Sequence, residues 1–207
     1  MAQKGRPRNY DSAAALDKIM AQFWRKGYTA TSLDELAAET GMKKPSLYAA
    51  FGNKERLYQL AMDRFGETAQ AHYTAALAPR TPGEPLAARL TRWLQATVTL
   101  YTGEHGPAGC MVLSTAAAEV NDPAIRKRLL EVIAAQEMMV LDCLNEEKNA
   151  LRDPDSAPLL AKTLTAFLHS ISLRARAGES ADQLAEMVRA GQSVLQPALK
   201  SPAGDIV

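Results

Sequence analysis

The chain has 207 residues, 47% of them apolar, with four Phe, six Tyr, two Trp and a formal net charge of +1. That length holds one large or two small domains with ample material for a core, and the lack of any Val/Ile-rich alternating run between turns excludes a sheet-built fold in favour of an all-α one. No apolar run reaches bilayer length, the first ten residues lack the apolar core of a signal peptide, and Cys110 and Cys143 make no disulfide framework, so a reduced, cytoplasmic protein with no membrane partner is expected.

The first ten residues carry Lys4, Arg6 and Arg8 with no acid among them. Such an arm, next to the motif described below, is expected to meet the phosphate backbone or a minor groove, the other reading being a solvated tail. Asp11 or Ser12 caps a first helix with the apolar stripe Leu16, Ile19, Met20 and Phe23, and Gly27 stops it. Thr31 and Ser32 are N-cap types, and Glu35 follows Ser32 at capping-box spacing, so a short helix runs from about Leu33 to Thr40. Gly41 ends it in a left-handed turn and Met42 plugs the bend. A second short helix starts near Lys44 with Pro45 in its first turn; Leu47 and Phe51 face inward, and Lys43, Lys44, Ser46 and Tyr48 face outward. Two short helices joined by a Gly-containing turn form the DNA-reading helix-turn-helix.

A fourth helix is predicted from Lys54 to about Ala76, then a Pro-rich loop over 76–85. Leu86, Leu90, Trp93, Leu94, Thr97, Val98 and Tyr101 follow at helical spacing. After the glycine-rich stretch 103–110 a helical run reaches Glu119, and Pro123 opens a long helix to about Asn149. Two more helices follow, one striped by Leu160, Leu164, Phe167, Leu168 and Ile171, the other capped by Ser180 and striped by Leu184, Met187, Val188, Gly191 and Leu195. The pattern amounts to about nine helices: a helix-turn-helix head over 1–53 and a larger helical body over 54–207, with the fourth helix running from one into the other. Residues 1–65 hold 11 Lys and Arg against 7 Asp and Glu, whereas 66–207 hold 13 against 16. A basic head on an acidic body suits a head that meets phosphate.

The stretch TSLDELAAETGMKKPSLYAAFGNKE carries the resemblance. With its flanks from about Leu16 to Leu60 it resembles the TetR (tetracycline-repressor-type) family of bacterial transcription regulators, over roughly the first third of the chain. The resemblance implies a two-domain, all-helical homodimer that binds a palindromic operator in double-stranded DNA as a repressor. It also implies release when a small-molecule effector enters the C-terminal domain. The sequence departs from the family in one respect: Ala49 and Ala50 stand where members often carry polar or aromatic residues, so readout leans on the start of the recognition helix. The segment GCMVLSTAAAEV resembles a Gly-Cys-(Leu/Met) segment of one branch, in which some members sense electrophiles or oxidants through the cysteine.

Chemistry divides the site residues. Thr31, Ser32, Tyr48 and Lys54 suit phosphates, while Lys43, Lys44, Pro45 and Ser46 suit base edges and thymine methyls. Trp93, Tyr101, Met111, Met138 and Phe167 are candidates for an apolar ligand wall. Cys110, in a first helical turn, has its thiolate favoured by the helix dipole, which makes it a candidate covalent trigger; the other reading is a buried small apolar residue. The last two long helices are expected to form a four-helix dimer bundle, with Ala166, Ala190 and Gly191 permitting close approach. His72, His105 and His169 are scattered without metal-ligand spacing, and no catalytic triad, phosphate loop or carboxylate pair stands out, so neither cofactor, metal nor enzyme activity is expected. Two alternatives stay open: a DNA-binding dimer without small-molecule input, and a helical thiol enzyme using Cys110.

Overall fold

The computed structural model describes residues 11–103 and 106–200. Among them are nine α-helices: α1 (Ser12–Ala30), α2 (Leu33–Thr40), α3 (Lys44–Phe51), α4 (Lys54–Leu77), α5 (Leu86–Tyr101), α6 (Met111–Thr115), α7 (Pro123–Glu146), α8 (Ala157–Arg176) and α9 (Ala181–Leu195). Local chemistry explains most of the boundaries. The Asp11 carboxylate accepts from the Ala13 and Ala14 amides, the Asn53 amide oxygen from Arg56 N–H, and the Asp122 carboxylate from Ala124 and Ile125. Ser32 and Ser180 each form a complete capping box, with Glu35 and Gln183 reaching back to the cap amide. Such a cap is worth about 0.5–2 kcal/mol against alanine. Gly41 ends α2 at φ 70°, a conformation only glycine takes freely. Gly27 kinks α1 at φ 80°, ψ 177°, where the sequence places a stop, and Tyr28–Ala30 form a separate turn beyond it.

Two boundaries differ from the sequence pattern. The run to Glu119 is α-helical only to Thr115 and continues as a 3-10 turn over Ala116–Glu119. Thr115 donates its hydroxyl to the Met111 carbonyl at 2.7 Å while also meeting Tyr58 OH at 2.6 Å, and such back-bonding bends a short helix. Likewise α7 ends at Glu146, with a 3-10 turn over Lys148–Ala150 in place of its last expected residues. Leu151 then pairs with Leu199 in an isolated antiparallel bridge that ties the described C-terminal end to the α7–α8 connection.

At one end α1, α2 and α3 enclose Ile19, Phe23, Leu36, Met42, Leu47 and Phe51. Helix α4, 24 residues and roughly 36 Å long, buries a stripe from Leu57 and Tyr58 through Phe65 to Tyr73 and Leu77, so a single apolar core continues along it. At the other end α5 is central, packed by α4, α8 and α9. Gly191 makes the α9 approach possible: a Cβ there would stand 2.6 Å from Leu94 Cδ1. Gly191 is therefore spent inside the subunit and not on a dimer seam, whereas Ala166 and Ala190 are exposed as expected. The outward faces of α8 and α9 are mixed: Leu159, Ala166 and Leu173 on α8 and Ala190 and Val194 on α9 are exposed beside Lys162, Glu186 and Arg189.

Candidate nucleic-acid interface and interior cleft

The outward face of α3 is a compact row. Lys43, Lys44, Pro45, Ser46, Tyr48 and Ala49 are all exposed, Tyr48 by 45%, while Leu47 and Phe51 anchor the helix from behind. Pro45 sits in the first turn, where a missing N–H costs nothing and leaves the ring outward. Lys44 is not free: its ammonium lies 2.6 Å from Asp34 of α2. Lys26 and Arg25 of α1 pair with Glu35 and Glu39. The Lys26 hydrogen bond, with the Ser32 amide behind it, holds the Glu35 carboxyl down at about 2. The helix-turn-helix is thus braced by ion pairs that a reading of one helix at a time misses, because their partners lie on different elements.

Three expected phosphate contacts are engaged within the chain. Thr31 is fully buried, and its hydroxyl donates to the Gly27 carbonyl at 2.7 Å, so it caps the kink and offers no oxygen outward. Ser32 is exposed, but its hydroxyl serves the capping box. Lys54 turns its ammonium back over the Tyr28 ring, 4.5 Å from the centroid, and donates to the Thr29 carbonyl at 3.4 Å. Tyr48, by contrast, has an unobstructed phenol-bearing face. Lys4, Arg6, Arg8 and His105 lie outside the described residues.

In the body, most of the expected ligand wall is core. Trp93, Tyr101, Cys110 and Met111 are all buried to within 1%. Tyr73 OH donates to Tyr101 OH at 2.7 Å, and Tyr101 in turn is hydrogen-bonded to the Cys110 thiol. Burial pushes that thiol above its usual range. The favoured thiolate expected at a helix start is therefore overturned: α6 has only five residues, and desolvation outweighs its dipole. Cys143 is likewise raised by burial. Phe167 is half-buried on the α9 side, near Gly191.

The hollow lies elsewhere. A cleft of about 650 Å³ opens between α4 and α7, and of the expected wall only Met138 borders it. Its lining includes Phe65, Tyr73, Val132, Gln136 and Met139, residues the sequence pattern marked as core or left unmarked. No pattern within one helix could have paired them, since the wall is shared by segments more than fifty residues apart. A hollow of about 580 Å³ beneath the 79–86 turn is formed largely by the turn itself. Among the described residues no group of acidic, His or Cys side chains is arranged for a metal ion, and no helix is long and apolar enough to cross a membrane.

Contacts tie the helix-turn-helix end to the cleft end. Trp24 Nε1 donates to the Gly109 carbonyl at 3.0 Å, and a Cβ at Gly106 would meet the Trp24 ring at 2.5 Å. The Thr29 amide and hydroxyl donate to Glu119 at 3.2 and 2.5 Å. Arg176 of α8 donates to the Arg25 carbonyl at 3.0 Å, and Arg64 of α4 to Asp17 of α1 at 2.8 Å.

Residues 15–61 match the model of bacterial regulatory proteins of the tetR family. The chain is 30% identical over 187 residues to the HTH-type transcriptional repressor ComR of Escherichia coli (strain K12), covering 89% of this chain and 88% of that one. It is 29% identical over 191 residues to the HTH-type transcriptional repressor BdcR of the same strain, covering 92% of each. Among solved structures it resembles a cysteine mutant of the TetR family transcriptional regulator CifR complexed with 26-bp double-strand operator DNA, at 26% identity and a TM-score of 0.80, over 91% of this chain and 98% of that one.

Proposed function

The chain belongs to the TetR family and is a DNA-binding transcription regulator, and from that premise we propose that it is a ligand-released repressor of a palindromic operator. The observation that carries the reading is the α3 face, where Lys43, Lys44, Pro45, Ser46 and Tyr48 stand exposed on a helix held from behind by Leu47 and Phe51. Lys43 and Lys44 donate to base edges, Pro45 meets thymine methyls, and Tyr48 positions the helix on phosphates.

One such helix reads few base pairs, so two subunits act together. The exposed apolar residues of α8 and α9, Leu159, Leu173 and Val194, meet their copies in a four-helix bundle. The two α3 helices then enter successive major grooves about 34–36 Å apart. The effector enters the α4–α7 cleft without covalent chemistry, since Cys110 is fully buried with its thiol held protonated. The ligand releases DNA by favouring the conformation in which the α3 helices are wrongly spaced, and α4, which lines the cleft and meets α1, carries the change. In this reading the protein turns over no substrate and works in the cytoplasm, where its operator is.

Selection of bound sequences from a random DNA pool, followed by anisotropy titration across a metabolite panel, tests the reading. An enriched inverted repeat and at least one compound that weakens binding are expected. Enrichment without any releasing compound would leave the DNA-binding dimer without small-molecule input. No enrichment would overturn the repressor reading.

A further inference from the structure

Of the three acids on α2, Glu35 and Glu39 pair with Lys26 and Arg25 of α1. Asp34 turns the other way, and its Oδ1 lies 2.6 Å from the Lys44 ammonium of α3. Both side chains are well exposed, 78% for Asp34 and 47% for Lys44, so the pair adds little to the stability of the fold. Its consequence lies at the surface. A full negative charge stands at the tip of a lysine that the reading above assigns to a base edge, beside Pro45 and Ser46 on the exposed face of α3.

A carboxylate there treats the two kinds of DNA acceptor differently. A phosphate oxygen carries a full negative charge, and one that approaches the ammonium also approaches Asp34 and is repelled by it. Salt does not remove the effect, because Asp34 and a phosphate sharing one ammonium stand closer than the Debye length, about 8 Å at physiological ionic strength. The O6 and N7 of guanine are neutral acceptors, and Asp34 opposes them far less. The ammonium has three N–H donors, so one given to Asp34 leaves two for O6 and N7. The tether also narrows the orientations of an otherwise flexible four-carbon side chain.

We propose that Asp34 is a specificity-determining residue of the DNA-reading face: it withholds the Lys44 ammonium from phosphates and presents it to a guanine edge. The proposal rests on the base-reading role of Lys44 given above. Two duplexes test it by anisotropy titration of the full chain, one of random sequence and one selected from the random pool. Asp34→Asn keeps the shape of the side chain and removes its charge. It should bind the random duplex about three- to tenfold more tightly than wild type, with a logarithmic salt slope steeper by about one unit, since one phosphate contact is gained. On the selected duplex it should shrink the penalty for base changes at the position that depends on Lys44 by about threefold or more. Asp34→Glu should restore both properties.

Glu39→Gln is the control, because it changes net charge equally from the same helix and leaves the Lys44 pair intact. Asp34→Asn that matches Glu39→Gln in salt slope and base ranking would overturn the proposal. So would an Asp34→Asn gain on the random duplex that Lys44→Ala leaves undiminished, since Asp34 would then act on DNA by itself. The proposal and its premise fail separately. An unchanged base ranking with Lys44→Ala would remove the base reading and the proposal with it. A ranking that Lys44→Ala alters and Asp34→Asn does not would overturn the proposal alone.

Discussion

Lys44 reaches Asp34 across 2.6 Å, yet both side chains are substantially exposed, so the pair stabilises by no more than about 1 kcal/mol. A guanine edge can therefore compete for the ammonium. We expect Lys44→Ala to change the ranking of single-base operator variants by about 1–3 kcal/mol at defined positions, read by competition binding. Tyr48→Phe should weaken all sequences alike, since a phosphate contact carries no base information. An unchanged ranking with Lys44→Ala would remove its base-reading role. At Cys110 burial decides reactivity. Because the thiol is pushed up and has no exposed surface, iodoacetamide should label Cys110 far more slowly in folded than in denaturant-unfolded protein, as mass spectrometry of the digested chain would show. Fast native labelling would reinstate the covalent trigger.

Among the elements, α2 depends most visibly on its cap. Glu35 accepts from the Ser32 amide at 2.8 Å and pairs with Lys26, and its carboxyl is held down at about 2. A lowered carboxylate stabilises the fold fully above its unfolded value, near 4.5, and that contribution is lost as pH falls through about 2. Carboxyl NMR should therefore find the Glu35 midpoint near 2, and Lys26→Met, which removes the largest cause, should raise it further than Ser32→Ala does. Ser32→Ala should cost about 0.5–2 kcal/mol in a urea melt. Between elements, Trp24 is the joint. Trp24→Phe keeps a ring against Phe65 but leaves the Gly109 carbonyl without its donor, at a cost of about 0.5–1.5 kcal/mol. If this contact carries the switch, the effector should weaken operator binding less in the variant than in wild type. An undiminished effect would assign the coupling to α4 alone.

For the whole molecule the question is which apolar surface is left over after the subunit folds. Leu168 and Leu184 are wholly buried, so a charge at either unfolds the chain and reveals nothing about assembly. Leu173, at 71% exposure, is the informative position. Leu173→Glu should keep the helical melt, elute as a monomer in light-scattering chromatography, and lose about one half-site's worth of operator affinity. A Leu173→Glu dimer would place the interface elsewhere.

The helix-turn-helix was legible in the residues because its determinants are local. Ser32 with Glu35, Gly41 and Pro45 each act within one turn of chain, and the Leu36, Leu47 and Phe51 spacing says which face turns inward. Most of the helices among the described residues were legible for the same reason, through caps at Asp11 and Ser180 and a first-turn proline at Pro123. Only the tertiary structure decided the rest. Periodicity puts Gly191 on the apolar stripe of α9 but cannot say whether it meets Leu94 of its own subunit or a second copy. Thr31 and Cys110 occupy helix starts that suggest phosphate and thiolate, but remote side chains bury both, and desolvation depends on what the chain brings from far away. The cleft is the extreme case. Its lining comes from α4 and α7, each unremarkable alone, and the groove exists only because those two helices pack side by side.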